Sequence, residues 1–295
     1  MAEPTLAFPG RAFAILAGML AMTGFGAPPG ASPPQNYAQV GLPNQAEGRA
    51  VIEQFRESGP GGPYYLEFQL REFPRRGPER VIPGRLWGSR NEQGAVLRIE
   101  LNPGRPGEER RFLVQNGVQA AVWTYAPGGP VPEPRLAQPF EPLVPGVEIT
   151  PFDLQMPFLY WPDVRLMGIE RVRGLSRPAY VFLFRPPANY AGSPAGLSGV
   201  RAYLDTQYHA PVQTEVLAAD GSPKTTFSLV DLKKVGEQWI PKDIEIRNET
   251  TRDKTRFSVT AAALGLDFVS NFLLPERLPE PVAPPSADRL ARFDR

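Results

Sequence analysis

The sequence predicts a mainly β fold with few helices, a meander sheet closed or half-closed as a barrel. Three observations carry that expectation. Apolar residues recur with period two through most of the chain after Tyr64, the signature of strands with one face buried and one face wet. β-branched and aromatic residues fill these runs, as a pleated, half-buried surface favours. Turn residues separate them at short intervals, at Asn116-Gly117, Gly174, Pro186-Pro187, His209–Pro211, Asp220-Gly221, Gly236 and Arg252–Lys254. Short strands so spaced, with almost no helix between them, build an antiparallel sheet.

The first element is a leader. Arg11 precedes an apolar run, Ala12–Met22. That run is short of the roughly 20 residues that span a bilayer but fits a signal-peptide core of about 7–15. Small residues follow, and cleavage after Gly26 would leave Gly24 third from the cut. Residues 1–26 are therefore expected to be a signal peptide, and the mature chain to be periplasmic and soluble. The chain has no cysteine, which rules out a bacterial lipobox and disulfide staples. Residues 27–43 (APPGASPPQNYAQVGLP) read as a proline-rich linker.

A helix is predicted over Gln45–Ser58. Asn44 can cap it, Glu47 stands at the capping-box position, Val51, Ile52 and Phe55 share a face, and Gly59-Pro60 stops it. Gly48 weakens it by about 1 kcal/mol relative to alanine. The period then changes to two. In Tyr64–Phe73, Leu66, Phe68 and Leu70 oppose Glu67, Gln69 and Arg71; in Ala95–Leu101, Leu97, Ile99 and Leu101 oppose Arg98 and Glu100. RRFLVQNG and AAVWTY form a hairpin around Asn116-Gly117. Further strands lie in Val164–Gly174, Ala179–Pro187, Val200–Tyr208, Pro211–Ala218, Thr225–Val235, Gln238–Thr250 and Thr255–Leu264. Two loops interrupt the rhythm, Pro127–Gly146 and Ala188–Gly199. One domain is expected over 44–278, followed by a proline-rich, loosely ordered tail, 279–295.

One segment fits neither period. Thr150–Gly168 (TPFDLQMPFLYWPDVRLMG) places Phe152, Leu154, Met156, Phe158, Leu159, Tyr160 and Trp161 within ten positions and breaks them with Pro157 and Pro162. Thr150 can cap a short helix, Pro151 suits its first position and Asp153 faces the positive end. Pro157 cannot lie deep in that helix, at a cost of about 3 kcal/mol. A kink is expected there, then a second turn through Trp161, after which Pro162 directs the chain into the next strand. Such a segment between strands of a meander must cover one face of the sheet, either as one wall of an apolar cavity or as part of a packed core.

Catalytic chemistry is sparsely supplied. Lys+Arg number 32 and Asp+Glu 31, for a net charge of +1 with no basic block, so nucleic acid is not an expected partner. The one histidine, His209, lies in a turn between strands. With no cysteine to join it, a zinc site or a Cys–His pair has almost nothing to be built from. No nucleophile elbow, P-loop or dinucleotide fingerprint occurs. Glu67, Glu100, Asp205, Glu215, Asp220, Asp231 and Glu245 mostly alternate with apolar residues, as on a solvated sheet face. The triplet Asn248–Thr250 matches a glycosylation acceptor. Neither enzyme activity nor a cofactor is expected.

The order of the motifs across roughly residues 44–275 resembles the outer-membrane lipoprotein-sorting superfamily of periplasmic carriers, the LolA/LolB-like proteins. An apolar lid segment (DLQMPFLYWP) leads into a strand pair carrying Val172, Gly174, Tyr180 and Pro186. Then follow Asp205 with Pro211 and Glu215; Asp220, Gly221, Lys224 and Thr225; Trp239, Ile240 and Pro241; and Lys254 with Thr255. The resemblance implies an unclosed antiparallel half-barrel covered by an N-terminal helix and a short kinked lid helix. It implies a cavity that holds acyl chains, walled by Phe152, Leu154, Met156, Phe158, Leu159 and Trp161 from the lid and by Leu66, Phe68, Leu70, Leu97 and Ile99 from the sheet. Implied partners are lipoprotein acyl chains or other lipid and inner- and outer-membrane transfer proteins, around a monomeric carrier. An arginine holding the lid closed would be Arg71, Arg85 or Arg98.

Overall fold

A computed structural model describes residues 22–23, 43–57, 62–117, 119–129, 133–172, 178–188, 190, 196–207, 210–268 and 270–293. The expected signal peptide other than Met22–Thr23, nearly all of the expected linker, Gly174 and His209 lie outside these residues.

Helix α1 spans Gln45–Glu57. Asn44 caps it as expected, Oδ1 accepting from the backbone N–H of Ala46 at 3.0 Å and of Glu47 at 3.3 Å. Glu47 reaches outward instead and accepts from the Tyr180 hydroxyl. The strands are β1 (Met22–Thr23), β2 (Tyr64–Phe73), β3 (Arg80–Asn91), β4 (Gly94–Leu101), β5 (Arg110–Gln115), β6 (Ala121–Tyr125) and β7 (Arg135–Leu136). After the short helix α2 (Pro151–Gln155) come β8 (Asp163–Arg171), β9 (Pro178–Arg185), β10 (Gly199–Asp205), β11 (Pro211–Leu217), β12 (Pro223–Val235), β13 (Gln238–Asn248), β14 (Lys254–Ala263) and β15 (Ala291–Arg292).

These strands make one antiparallel sheet in the order β7-β6-β5-β4-β3-β2-β14-β13-β12-β11-β10-β9-β8, with β1 against β13 and β15 against β14. Every neighbour along that path is also a neighbour in sequence except one: β2 pairs with β14. The fold is thus two meanders joined back to back, and β7 and β8 are left at opposite ends. The sheet is unclosed. The chain that connects β7 to β8 has to cross from one edge to the other.

The inward side chains of the strands, the α1 face of Val51, Ile52 and Phe55, and the β7–β8 crossing form one buried core. Burial of each large side chain there contributes about 1.5–3 kcal/mol. Gly48 explains how the helix sits so close. A Cβ at Gly48 would lie 2.8 Å from the Leu166 Cβ and 3.3 Å from the Phe182 ring. The glycine that weakens the isolated helix is what allows α1 to approach β8 and β9. Gln45 completes the docking: its side-chain amide donates to the Leu166 carbonyl at 2.9 Å and accepts from the Leu166 N–H at 3.0 Å. It stands where the next strand would be and so blunts the β8 edge.

Strand β3 is absent from the sequence reading because Pro83, Gly84 and Gly88 look like breakers. The register explains all three. Pro83 lies just past the end of β4, whose pairing with β3 stops at Gly84↔Leu101. Gly84 and Gly88 face Phe68 and Tyr64 across the β2 pairing. A Cβ on either would meet the facing ring at 2.2 or 2.1 Å. Each glycine leaves room for an aromatic ring to lie across its strand.

The tail also departs from expectation. Residues 270–293 are ordered against the convex face. Leu273 and Leu278 pack with Val96 and Leu113, and Val282 and Leu290 pack against Tyr65 and Trp87. β4 is consequently buried along its whole length on both faces, which no period-two pattern announces.

Replacing Gly48 with alanine separates helix propensity from packing. Propensity alone predicts a gain of about 1 kcal/mol, whereas the contact with Leu166 predicts a net loss of about 1–3 kcal/mol. We expect urea denaturation of Gly48→Ala to show a lower midpoint than the parent.

Candidate functional site

The β7–β8 crossing holds the apolar segment singled out in the sequence. Helix α2 begins as anticipated. The Thr150 hydroxyl accepts from the Asp153 N–H at 3.3 Å, and the Asp153 carboxylate accepts from the Thr150 N–H at 2.9 Å and its hydroxyl at 2.7 Å. Met156 ends the helix in the left-handed region, φ 42°, a conformation disfavoured for any residue with a side chain. A 3-10 turn, Pro157–Tyr160, follows, and Trp161 leads into β8. The kink thus falls one residue before Pro157. Helix α2 lies over β5 and β6, and the 3-10 turn over β9. Two short pieces bridge the mouth of the half-barrel.

All eleven residues proposed from sequence share the one core: Phe152, Leu154, Met156, Phe158, Leu159 and Trp161 from the lid, and Leu66, Phe68, Leu70, Leu97 and Ile99 from β2 and β4. The lid side chains are at most 4% exposed. Phe152 stacks on Phe140, with ring centres 4.6 Å apart; Phe158 meets Phe184 edge-on at 5.3 Å, and Trp161 meets Tyr190 at 5.1 Å. Phe140, Phe184 and Tyr190 carry no sequence signal for this role, because only the fold brings them to the lid. The lid's own side chains pack against the apolar sheet face beneath it. Two clefts of about 410 and about 370 Å3 open elsewhere, one beside Gln115, Trp123 and Leu273, the other beside Leu197, Val216 and Lys224.

Few polar bonds tie the lid down. Gln155 donates to the Gln115 carbonyl at 3.2 Å. The Phe152 N–H reaches the Pro139 carbonyl at 2.7 Å. On the opposite side Arg56 of α1 donates from Nε to the Leu159 carbonyl at 2.7 Å, and its guanidinium lies 5.4 Å from the Tyr160 ring centre. Burial pulls the Arg56 guanidinium below its ordinary value, countered by Tyr160 and Glu53. The arginine on the lid is therefore a helix residue. Among the strand candidates, Arg98 is spent on the other face of the sheet: it is fully buried, bonds Glu100 at 3.0 Å and donates to the Arg277 carbonyl at 3.0 Å and the Glu280 carbonyl.

Two polar groups inside the lid are unusual. The Asp153 carboxyl is pushed up to about 6 by burial, against which the Thr150 hydrogen bonds work. Trp161 Nε1 is buried without an acceptor among the described residues.

The carboxylates read from sequence as a solvated face divide in three, with Glu67 and Glu245 half-buried. Asp220 and Asp231 are exposed. Glu100, Asp205 and Glu215 are buried, because the C-terminal segment covers Glu100, Asp205 caps the Gln207 N–H at 2.8 Å, and Glu215 pairs with Arg201 at 2.8 Å. Among the described residues no group of three or more histidines or carboxylates is placed to hold a metal ion. Asn248 of the glycosylation triplet is engaged, accepting from the Thr250 and Thr251 N–H groups and donating to Glu148. Trp239 stands 41% exposed. No helix in the described residues is long and apolar enough to cross a membrane.

An unclosed antiparallel half-barrel, with a helix on one edge and a kinked apolar lid across its mouth, defines the LolA-like fold, and solved structures share it. A domain described as an outer membrane lipoprotein-sorting protein from Vibrio parahaemolyticus matches with a TM-score of 0.60 at 15% identity, over 72% of this chain and 89% of that one. A DUF1329 family protein from Desulfovibrio piger matches with a TM-score of 0.63 at 13% identity, over 79% and 98%. A LolA superfamily protein from Nitrosomonas europaea gives 0.57 at 14% identity, over 79% and 98%. No family profile and no curated protein matches the sequence.

Two predictions follow from the lid's polar contacts. An acid whose folded value lies above its ordinary 3.8 keeps its proton preferentially in the folded state. The stability it contributes is complete below that ordinary value and is lost as pH rises through about 6. Hydrogen exchange of the lid amides, corrected for intrinsic rates, should show protection falling over this window, and Asp153→Asn should flatten the trend. Arg56→Ala should raise exchange at Leu159–Trp161 by about ten- to a hundredfold, as expected for loss of a charge-assisted bond of about 1.5–3 kcal/mol, with β11–β13 unchanged.

Proposed function

We propose that the protein is a non-enzymatic carrier of the bacterial cell envelope. It is exported, soluble once its leader is removed, and monomeric. It takes an acyl chain, or the acyl groups of a lipoprotein, into the half-barrel beneath the Pro151–Trp161 lid, and so serves outer-membrane lipoprotein sorting between membrane-bound donor and acceptor proteins. The observation that carries this reading is the lid. Six large apolar side chains bridge two unpaired sheet edges and meet an apolar inner face, yet few hydrogen bonds hold them to it.

The chemistry of the interior suits an amphiphile. An alkyl chain replacing the lid against Leu66, Phe68, Leu97 and Ile99 would conserve apolar burial, at about 25 cal/mol per Å2, so opening need not leave the sheet face wet. Trp161 Nε1 has no acceptor among the described residues, and an ester carbonyl would supply one. The solved structures of similar fold include one described as a lipoprotein-sorting domain, which supports the reading by analogy of fold.

A second reading is an envelope sensor or interaction module with a permanently filled core. The observation in its favour is the close packing of the lid itself. Titration of the purified chain with a fluorescent fatty acid separates the two. The carrier reading expects saturable binding, weakened several-fold or more by Trp161→Ala and unaffected by His209→Ala. Absence of saturable binding, where a known carrier binds the same probe, would establish the filled core.

A further inference from the structure

The proposed chamber has a wall that is gripped from outside. Strand β5 carries Phe112 and Val114 inward to the core under the lid and Leu113 outward against Leu273 and Leu278. Its carbonyl at Gln115 accepts from Gln155 of α2. The residue before that inner row, Arg111, points the other way, donating to the Leu278 carbonyl at 3.3 Å and to the Pro279 carbonyl, while Glu109 holds its Nε at 2.7 Å. On neighbouring β4, Arg98 donates to the carbonyls of Phe272, Arg277, Leu278 and Glu280. Two arginines thus take the main chain of one short stretch, and Glu100 and Glu109 orient them. Backbone carbonyls are acceptors that no side-chain change in the segment removes, and a guanidinium offers five donors in a fixed fork to meet them.

We infer that residues 270–293 are a clamp on the binding chamber: by fixing the convex face of β4 and β5 through Arg98 and Arg111, the clamp holds in place the wall on which the lid rests, and loosening it loosens the lid. The inference rests on the carrier reading for its purpose and on the two-sided burial of β4 and β5 for its mechanism. The lid's helix α2 packs on β5 and β6. The strands under α2 are thus the ones the clamp backs, while Phe140 and the Pro139 carbonyl hold the helix from within the crossing. At the other end of the sheet the lid's 3-10 turn rests on β9, and the end of the clamp reaches β12 only where Lys233 approaches the Phe293 ring.

Two variants test this at different severity. Arg111→Lys keeps the charge and loses the fork; Leu278→Ala empties a fully buried position. Hydrogen exchange should show amides of β5 and of Phe152–Met156 opening about tenfold faster or more in each, with β10 and β11 unchanged, and uptake of a fluorescent fatty acid should quicken. Faster exchange confined to residues 270–293 would overturn the inference, because the segment would then be a covering with no hold on the lid. A uniform increase across the sheet would also overturn it, as a loss of global stability only. Should the parent chain take up no fatty acid, the carrier reading fails while the exchange pattern still decides whether lid and clamp are coupled.

Discussion

The whole molecule depends on one unmade pairing. β7 and β8 do not meet, so a sheet that could have sealed itself as a barrel stays open. A closed barrel needs no cover, because its interior fills with its own side chains. An open one leaves an apolar face that water must not reach; helix α1 covers part of it, and the chain that crosses the gap covers the mouth. The apolar, proline-broken segment at 150–162 is the solution to that constraint. It cannot be a strand, since a strand there would join one edge and fail to reach the other. Nor can it be one long helix, since Pro157 and the left-handed Met156 turn it to follow the curve of the mouth.

The edges are handled separately. β8 is blunted by an amide side chain, Gln45, that imitates a strand's donor and acceptor. β7 is kept to two residues, too short to template another strand. On the convex side the remedy is a clamp of the chain's own C-terminal segment, with buried arginines supplying donors to its carbonyls. Burying Arg98 completely would be costly without a partner carboxylate and acceptors for its N–H groups. Here both are present, and burial draws the guanidinium down and the Glu100 carboxyl up from their ordinary values while their mutual attraction opposes each shift.

What could be read from sequence follows from what local chemistry controls. Helix α1, the cap and kink of the lid, and most strands are set by residues adjacent in the chain, and each was legible. β3 was not, because Gly84 and Gly88 obey a cross-strand rule: they are small so that Phe68 and Tyr64, in a different strand, can lie over them. The clamp was not, because proline-rich text reads as loose unless its carbonyls are known to have partners. Arg56 escaped notice for the same reason. Its target is a main-chain carbonyl 103 residues away, and a carbonyl has no letter in the sequence.

The lid and the clamp differ in the kind of bonding that holds them, and this difference bears on which can move. The clamp is held by directed, charge-assisted bonds to fixed carbonyls, whose loss leaves buried guanidinium groups unpaired. Such contacts are lost together or not at all. The lid is held mainly by apolar contact, which is non-directional and indifferent to which hydrocarbon supplies it. Phe152 and Phe158 can be exchanged for another apolar surface with little change in what the sheet face experiences, whereas no lipid can replace Arg98. A strained turn at Met156, an indole at Trp161 without a partner among the described residues and a carboxyl that burial disfavours at Asp153 all sit in the replaceable element. Each raises the free energy of the closed lid relative to an open one, and none burdens the clamp. The lid thus combines three unfavourable features in the piece that a carrier would need to move.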